Sequence, residues 1–255
     1  MCTVVSLHRP GHTWPLLLAA NRDEMQNRPW QEPARHWPDH PGVVAGRDQE
    51  AGGTWLGVND QGVAAAILNR VGSLGPADDK KSRGILPLLA LDQNNANEAA
   101  QAVCALDGSD FRPFNMVIAD AGGAIWIRWA GVEPDGHPTA QAIPEGLHML
   151  TAFDLDDRVS PRVTRHLPLF RAAPVPDPDQ DLWDGWIDRL ADRSRDDTNI
   201  ESGAVLIEAP GGFATVSSSL IALAEEPGRT IWKFAAGAPD KAPFLPVSVD
   251  TTACV

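Results

Sequence analysis

Cysteine and basic residues are scarce in this chain, tyrosine is absent, and no apolar run approaches membrane-spanning length. Each absence excludes something. Three cysteines, at positions 2, 104 and 254, are an odd and widely spaced set, which is neither a disulfide framework nor a CxxC metal or redox pair. A reducing compartment, the cytoplasm, is therefore expected. Lys and Arg number 21 against 34 Asp and Glu, a formal charge of −13. That balance opposes non-specific binding to nucleic acid or anionic lipid, both of which need basic surface. The first apolar run, Trp14 to Ala20, is too short to span a bilayer. Acidic charge follows it where a signal peptide would carry a small-residue cleavage site. Seven scattered histidines without a paired cysteine or carboxylate cluster predict no metal site. With no tyrosine, large aromatic surface falls to nine tryptophans, expected in the core, on its rim or lining a pocket.

What remains is ordinary globular material. At 255 residues with 43% hydrophobic side chains, the chain needs no disulfide or metal to hold a core. Cys2–Leu7 and Trp14–Asn21 flank Pro10-Gly11 and read as a hairpin. A turn centred on Pro10-Gly11 makes partner numbers sum to about 21, which places Cys2 opposite Ala19 and Asn21 to Asp23 just past the strand end. Further hairpins are predicted at Thr54–Asn59 with Val63–Asn69, Phe114–Asp120 with Ala124–Trp129, and Phe213–Ala224 with Thr230–Ala235, and another strand at Leu147–Phe153. Helices are expected over Ser82–Asp92, over Asn95–Leu106 with Ala99, Val103 and Leu106 on its apolar face, and around Leu182, Trp186 and Leu190. The small side chains of Val63–Asn69 predict a closely packed second layer. Strands at both ends with helices between give an α+β class of stacked antiparallel sheets flanked by helices.

Cys2 is the strongest candidate for chemistry. Removal of Met1, expected before a small residue, would give one residue both a thiol and a free α-amine. Such an amine has a pKa of about 7.7–8.0, so it can take the thiol proton without a separate histidine. Arg22, brought near by the hairpin, supplies the positive charge that lowers a thiol pKa. Cys104 beside a helical apolar face reads as a structural thiol. Gly52-Gly53-Thr54 has no lysine after it and opens no helix, so it reads as a tight entry into a strand and not a phosphate loop.

Met1-Cys2-Thr3, Ala20-Asn21-Arg22-Asp23-Glu24, Gly52-Gly53-Thr54-Trp55-Leu56-Gly57, Ser82-Arg83-Gly84 and Phe114-Asn115-x-x-Ile118-Ala119-Asp120 stand in the order and spacing of the NRDE family. The resemblance is dense over the first 120 residues and continues in outline through Thr215–Leu223. It implies a single domain over residues 1–255 with the αββα sandwich of the N-terminal nucleophile hydrolases. More distantly, the chain resembles the cysteine-type acylases of bile salts and penicillin V. In those enzymes an arginine and an aspartate lie near the cysteine. Arg22 matches the first, while Asp23 and Glu24 compete for the second; side chains alternate along a strand, and Asp23 is the favoured one. Asn69, ending a small-residue strand as in the acylases, is the expected oxyanion donor. Where the acylases carry a second asparagine, this chain reads Leu150-Thr151-Ala152-Phe153, leaving Thr151 or backbone amides for that role.

Two functions follow from the resemblance. In one, Cys2 attacks a linear amide or thioester, held by Arg22, Asp23 and Asn69, and hydrolysis needs no cofactor. In the other, the same pocket serves a non-catalytic binding or trafficking protein for haem or for acyl-CoA or lipid. Both make the partner a small molecule, with no nucleic acid and no integral membrane segment.

Overall fold

The computed structural model describes residues 2–133, 135–195, 203–226 and 229–249. Met1, Cys254 and the centre of the last predicted turn, Pro227-Gly228, lie outside them. In chain order the strands are β1 (Thr3–His8), β2 (Leu16–Met25), β3 (Trp30–Ala34), β4 (Val43–Asp48), β5 (Leu56–Asn59) and β6 (Ala64–Asn69). Helices α1 (Ile85–Leu91) and α2 (Ala96–Cys104) come next, followed by β7 (Phe114–Asp120), β8 (Gly123–Trp129), β9 (Thr139–Ile143) and β10 (Gly146–Leu150). The chain continues with α3 (Pro161–Ala172), α4 (Asp184–Leu190), β11 (Phe213–Leu223), β12 (Thr230–Ala235) and β13 (Leu245–Pro246).

Alternation along these strands builds three apolar layers. One sheet runs β10-β1-β2-β11-β12-β13 and the other β3-β4-β5-β6-β7-β8-β9, with antiparallel pairing throughout. Between the sheets lie Val4, Leu16, Leu18, Ala64, Ala66, Leu68 and Val117. The opposite face of the first sheet, including Val5, Leu17 and Ala19, packs on Val163, Leu167 and Phe170 of α3 and on Trp186 and Leu190 of α4. The outer face of the second packs on α1 and α2 through Ala65, Met116, Leu88, Ala99 and Val103. The result is the αββα sandwich, and the small side chains of β6 serve the layer packing they predicted.

Three expectations change. The first hairpin pairs Thr3 with Asn21 and His8 with Leu16, a register shifted by three residues from a turn centred on Pro10-Gly11. The reversal is a longer loop closed by Arg9 N–H to Pro15 O at 2.7 Å. It is anchored by the buried ring of Trp14, whose Nε1 donates to Asp179 Oδ2 at 3.0 Å. Asn21, Arg22 and Asp23 therefore lie inside β2 and not past its end. Leu182 stands before α4 and is half exposed, while Trp186 and Leu190 are buried. Helix α3 has no counterpart among the expected elements, although Ser160 caps Val163 N–H and Pro161 occupies the first turn, both helix-start signals.

Two motifs are packing devices. Thr54 N–H donates to Gly84 O at 2.9 Å, so Gly-Gly-Thr-Trp and Ser-Arg-Gly meet backbone to backbone. A Cβ at Gly53 would stand 2.4 Å from Gly84 C and O, whereas one at Gly52 would meet nothing within 4 Å. Gly53→Ala should therefore lower stability by about 1–3 kcal/mol through overpacking. Gly52→Ala, with φ at +74°, should cost about 1 kcal/mol of backbone strain. Urea unfolding of the two variants checks the order, and equal losses would contradict the close-approach argument.

Candidate active site

The alternation of β2 sorts the Asn-Arg-Asp-Glu motif onto two faces. Leu16, Leu18 and Ala20 point between the sheets and Leu17 and Ala19 toward the helices, so Arg22 and Glu24 continue the inner face and Asn21 and Asp23 the outer one. The contacts agree. Asn21 Nδ2 donates to the carbonyls of Leu190 and Val205, at 3.0 and 3.1 Å, and Asn21 Oδ1 accepts from Ser218 Oγ at 2.7 Å. Asp23 accepts from Thr215 Oγ1 at 2.7 Å and from Arg162 Nη1 at 3.5 Å, and the same guanidinium donates to Thr3 Oγ1 at 2.6 Å. Asp23 thus fixes the first residue of β1 through α3. A bulge between Thr215 and Ser217 in β11 lets Thr215 face Asp23 while Ser217 faces Arg22.

Cys2 is half-buried against the inner layer. The Asp23 backbone N–H donates to its sulfur at 3.5 Å, and Sγ lies 3.8 Å from the Asp23 carbonyl oxygen. Asp23 therefore meets the nucleophile candidate through its backbone, and its carboxylate is turned to α3. Glu24 shares the inner face but sits at the rim, bonded to Met25 N–H and 3.9 Å from Arg28.

The Arg22 guanidinium carbon lies over the Trp55 ring, 4.0 Å from its centroid, a contact worth about 2 kcal/mol when desolvated. Gly46 makes room for that ring, since a Cβ there would stand 2.3 Å from it. Arg22 Nη2 is 3.4 Å from Asp48 Oδ2, and its buried Nη1 has no partner. Burial pushes the Arg22 pKa down, although Cys2, Glu24 and Asp48 pull it up. The Cys2 thiol is pushed up, first by burial and then by the charge of Asp23; the positive charge of the N-terminal amine, the Asp23 N–H and Arg22 pull the other way and lose. Arg22 lowers the thiol pKa as expected, but does not set its direction.

Arg28 holds Asp48 by two bonds, Nε to Oδ2 at 2.6 Å and Nη2 to Oδ1 at 3.2 Å. Asp48 also accepts from the backbone of Glu50 and Ala51. Burial alone would raise the Asp48 carboxyl; the Arg28 bond, the Ala51 N–H and the charges of Arg28 and Arg22 outweigh it and hold the pKa low.

Cys2, Arg22 and Asn69 line one cleft of about 540 Å³, together with Trp55, Ile67, Arg83 and Arg112. Among the described residues no hydrogen bond engages the Asn69 side chain. The buried asparagines differ. Asn59 Nδ2 bonds the carbonyls of Leu91 and Gln93 and its Oδ1 accepts two backbone N–H groups. Asn115 Nδ2 bonds the carbonyls of Thr151 and Phe153, and its Oδ1 accepts from Arg70 and Trp126. Thr151 is buried, bonded to Ser160 Oγ, and lines a separate cavity beside Arg162; it does not border the Cys2 cleft. Cys104 lies on α2, its thiol pKa raised by burial. His40 pairs with Asp92 at 2.7 Å, and no group of three metal-binding side chains occurs among the described residues. Sequence reasoning missed Arg162, Thr215, Arg28, Asp48 and Arg112. Only Arg162 had a legible cue, its place behind a Ser-Pro helix start.

A sequence profile of the family described as Transport and Golgi organisation 2 matches residues 1–229. The Transport and Golgi organization 2 homolog of Mus musculus and that of Homo sapiens are each 32% identical over 116 residues, 43% of this chain and 40% of theirs. The chain thus aligns with about 40% of the length of these relatives. Among solved structures, penicillin V acylase from Agrobacterium tumefaciens is similar at a TM-score of 0.58 and 14% identity, covering 99% of this chain and 87% of that one. A variant of conjugated bile acid hydrolase from Clostridium perfringens follows at 0.53 and 12%, covering 98% and 94%. The Caenorhabditis elegans N-acylethanolamine-hydrolyzing acid amidase ortholog gives 0.51 and 11%, covering 86% and 92%. The fold is that of the N-terminal nucleophile hydrolases.

Removing Arg162 would strand the Asp23 carboxylate in the interior. Arg162→Met should cost about 3–5 kcal/mol, and adding Asp23→Asn should recover part of it, because the buried charge goes too. Urea unfolding in a double-mutant cycle reads the coupling; additive losses would show that the pair does not act as one. For Asp48, a folded pKa below the ordinary value of about 3.9 means stability that is present above that pH and lost as pH falls through the lower, folded value. Asp48→Asn should lower Tm at pH 7 by a few degrees, roughly 1–2 kcal/mol, and flatten the loss of Tm between pH 5 and pH 2. A mutant acid limb as steep as the parent's would refute this.

Proposed function

The chain belongs to the Transport and Golgi organisation 2 family, and on that premise we propose that it is an N-terminal cysteine acyl hydrolase or transferase acting on a linear amide or thioester. The observation that supports the reading is the shared cleft: the Cys2 sulfur, a guanidinium at Arg22 and the uncommitted amide of the half-buried Asn69 border one space, while the buried Asn21, Asn59 and Asn115 are bonded at both ends of their amides.

With Met1 removed, the Cys2 α-amine takes the thiol proton as sulfur adds to the substrate carbonyl. The oxygen of the tetrahedral adduct becomes negative, and the Asn69 amide donates to it. Collapse breaks the bond to nitrogen or sulfur of the leaving group, which departs with the proton held by the amine. Water, or another nucleophile in transfer, gives a proton to the now neutral amine as it adds to the thioester carbonyl; the carbon–sulfur bond then breaks and the amine returns that proton to the Cys2 sulfur. Arg22 lends positive charge beside the sulfur. Asp23 positions the strand end through Thr3, Thr215 and Arg162.

A second reading keeps the cleft as a binding site without turnover, for haem or for acyl-CoA or lipid. The place of Thr151 in a separate cavity favours it, since that leaves the chemistry with fewer groups. For haem, the described cleft residues offer sulfur at Cys2 and Met25 and no imidazole.

Intact mass of the purified protein tests the premise, because a retained Met1 removes the α-amine from Cys2 and ends the hydrolase reading. With Met1 gone, an electrophilic acyl probe should label the parent and leave Cys2→Ala unlabelled. Asn69→Ala should lower kcat about 10²–10³-fold with little change in KM. Haem binding without acyl transfer, seen as a Soret shift at micromolar haem, would favour the second reading.

A further inference from the structure

The cleft inverts the charge of the chain. Acidic residues exceed basic ones by 34 to 21 over the sequence, yet the cleft is lined by six basic side chains, Arg22, Arg28, Lys80, Lys81, Arg83 and Arg112, against Asp23, Glu24 and Asp48. Those three carboxylates are already engaged. Asp23 is turned to Arg162, Asp48 is gripped by Arg28 with Arg22 nearby, and Glu24 stands by Arg28. Lys80 pairs with Asp79 and Lys81 with Asp110 at the surface.

Arg83 and Arg112 have no such partner. Arg83 Nη1 donates to Ser73 Oγ and Pro113 O, each at 3.0 Å, and Nη2 to Gly75 O at 3.3 Å. Arg112 donates to the carbonyls of Gly72, Leu74, Gly75 and Pro76. Every acceptor is neutral, and no carboxylate bonds either guanidinium among the described residues. Burial, and then the charge of Arg112, push the Arg83 pKa down to about 10. Deeper in the same lining, Arg22 is nine-tenths buried and its Nη1 has no partner. Partly desolvated cations set side by side without counter-charge are costly, and an anion placed between them recovers that cost through charge-assisted bonds. Trp55, Ile67, Leu74, Met25 and Phe213 give the cleft apolar surface as well.

We infer that Arg83 and Arg112, with Lys80 and Lys81 at the mouth, form a subsite for an anionic group, a phosphate or a carboxylate, on an otherwise apolar acyl ligand. The inference rests on the cleft being the ligand site proposed above, but not on Cys2 turning over.

Calorimetric titration of the full chain with octyl phosphate, octanoate and octanol tests it. At least one anion should bind tenfold or more tightly than octanol, with affinity falling as salt rises. Preference for octyl phosphate or for octanoate identifies the group. Arg112→Gln should weaken the preferred anion about tenfold, as loss of a charge-assisted bond implies, while Arg112→Lys should keep most of the affinity. Lys80→Gln with Lys81→Gln, both nearer the surface, gives a second folded variant with a smaller loss. Octanol binding as tightly as both anions, or both anions binding unchanged to the folded lysine double variant and to folded Arg112→Gln, would overturn the subsite. Acyl transfer assayed in the parent chain, with Cys2→Ala as the blank, separates the two readings. Anion binding retained in a protein that shows no acyl transfer leaves the subsite standing and removes the reaction. Acyl transfer without anion preference does the reverse.

Discussion

A carboxylate with no exposed side-chain surface holds this molecule's working end together. Asp23 lies on β2, and its acceptors are filled from two distant places: Thr215 on β11 and Arg162 on α3, 192 and 139 residues away in sequence. A buried ionised carboxylate costs several kcal/mol unless paired and hydrogen-bonded. The fold that satisfies it must therefore bring α3 against the outer face of the first sheet at that point. Arg162 then reaches Thr3 as well, so the requirement of one charge fixes where β1 begins and where the Cys2 sulfur lies. The bulge in β11 belongs to the same constraint, because it keeps Thr215 on the face of Asp23 while the rest of the strand follows the alternation of β2.

The asparagines extend the principle to neutral groups. A buried side-chain amide has two donors and an acceptor to satisfy, and Asn21, Asn59 and Asn115 each satisfy them on backbone or side-chain groups of a neighbouring segment. Asn21 ties β2 to the end of α4, Asn59 ties β5 to the end of α1, and Asn115 ties the second sheet to the segment after β10. They are cross-braces between layers. Asn69 is set apart by being only half-buried at the mouth of the cleft, where water or a ligand can take its bonds.

How much of this could be read from the chain depends on range. Hairpins carried by local chemistry, such as Asp60-Gln61-Gly62 and Gly122-Gly123, were legible, and so was α2, with Asn95 at its cap and Ala99 and Val103 inward. The small residues of β6 point to close layers, which the first sheet supplies on one face and α1 and α2 on the other. The register of the first hairpin was not legible, because burying Trp14 against a residue 165 positions away decides it. Helix α3 was hidden by Pro168 within it and by a mixed polarity that reflects Arg162 turned inward. The cleft shows the same division. Cys2 and Arg22 are adjacent through one hairpin, while Arg83 and Arg112 meet because Lys81 bridges Phe111 and residues 72–76 accept bonds from both guanidiniums.

Charge in the cleft bears on how a thiol there could react. Burial disfavours the Cys2 thiolate and makes the guanidinium charges of Arg22 and Arg83, which both arginines keep, costlier to hold. An anionic ligand would relieve the arginines. By like-charge repulsion it would also push the thiol pKa further up, making a preformed thiolate less available in the complex than in the free protein. A cleft that gathers anions around such a sulfur is suited to a mechanism in which the proton leaves as the carbon–sulfur bond forms. That requires a base already in place on the nucleophile's own residue, and not a positive charge strong enough to ionise the thiol in advance. Arg22 fits the lesser task. It is stacked on Trp55 and half shared with Asp48, so it offers a fixed charge beside the sulfur without being the group that sets its protonation.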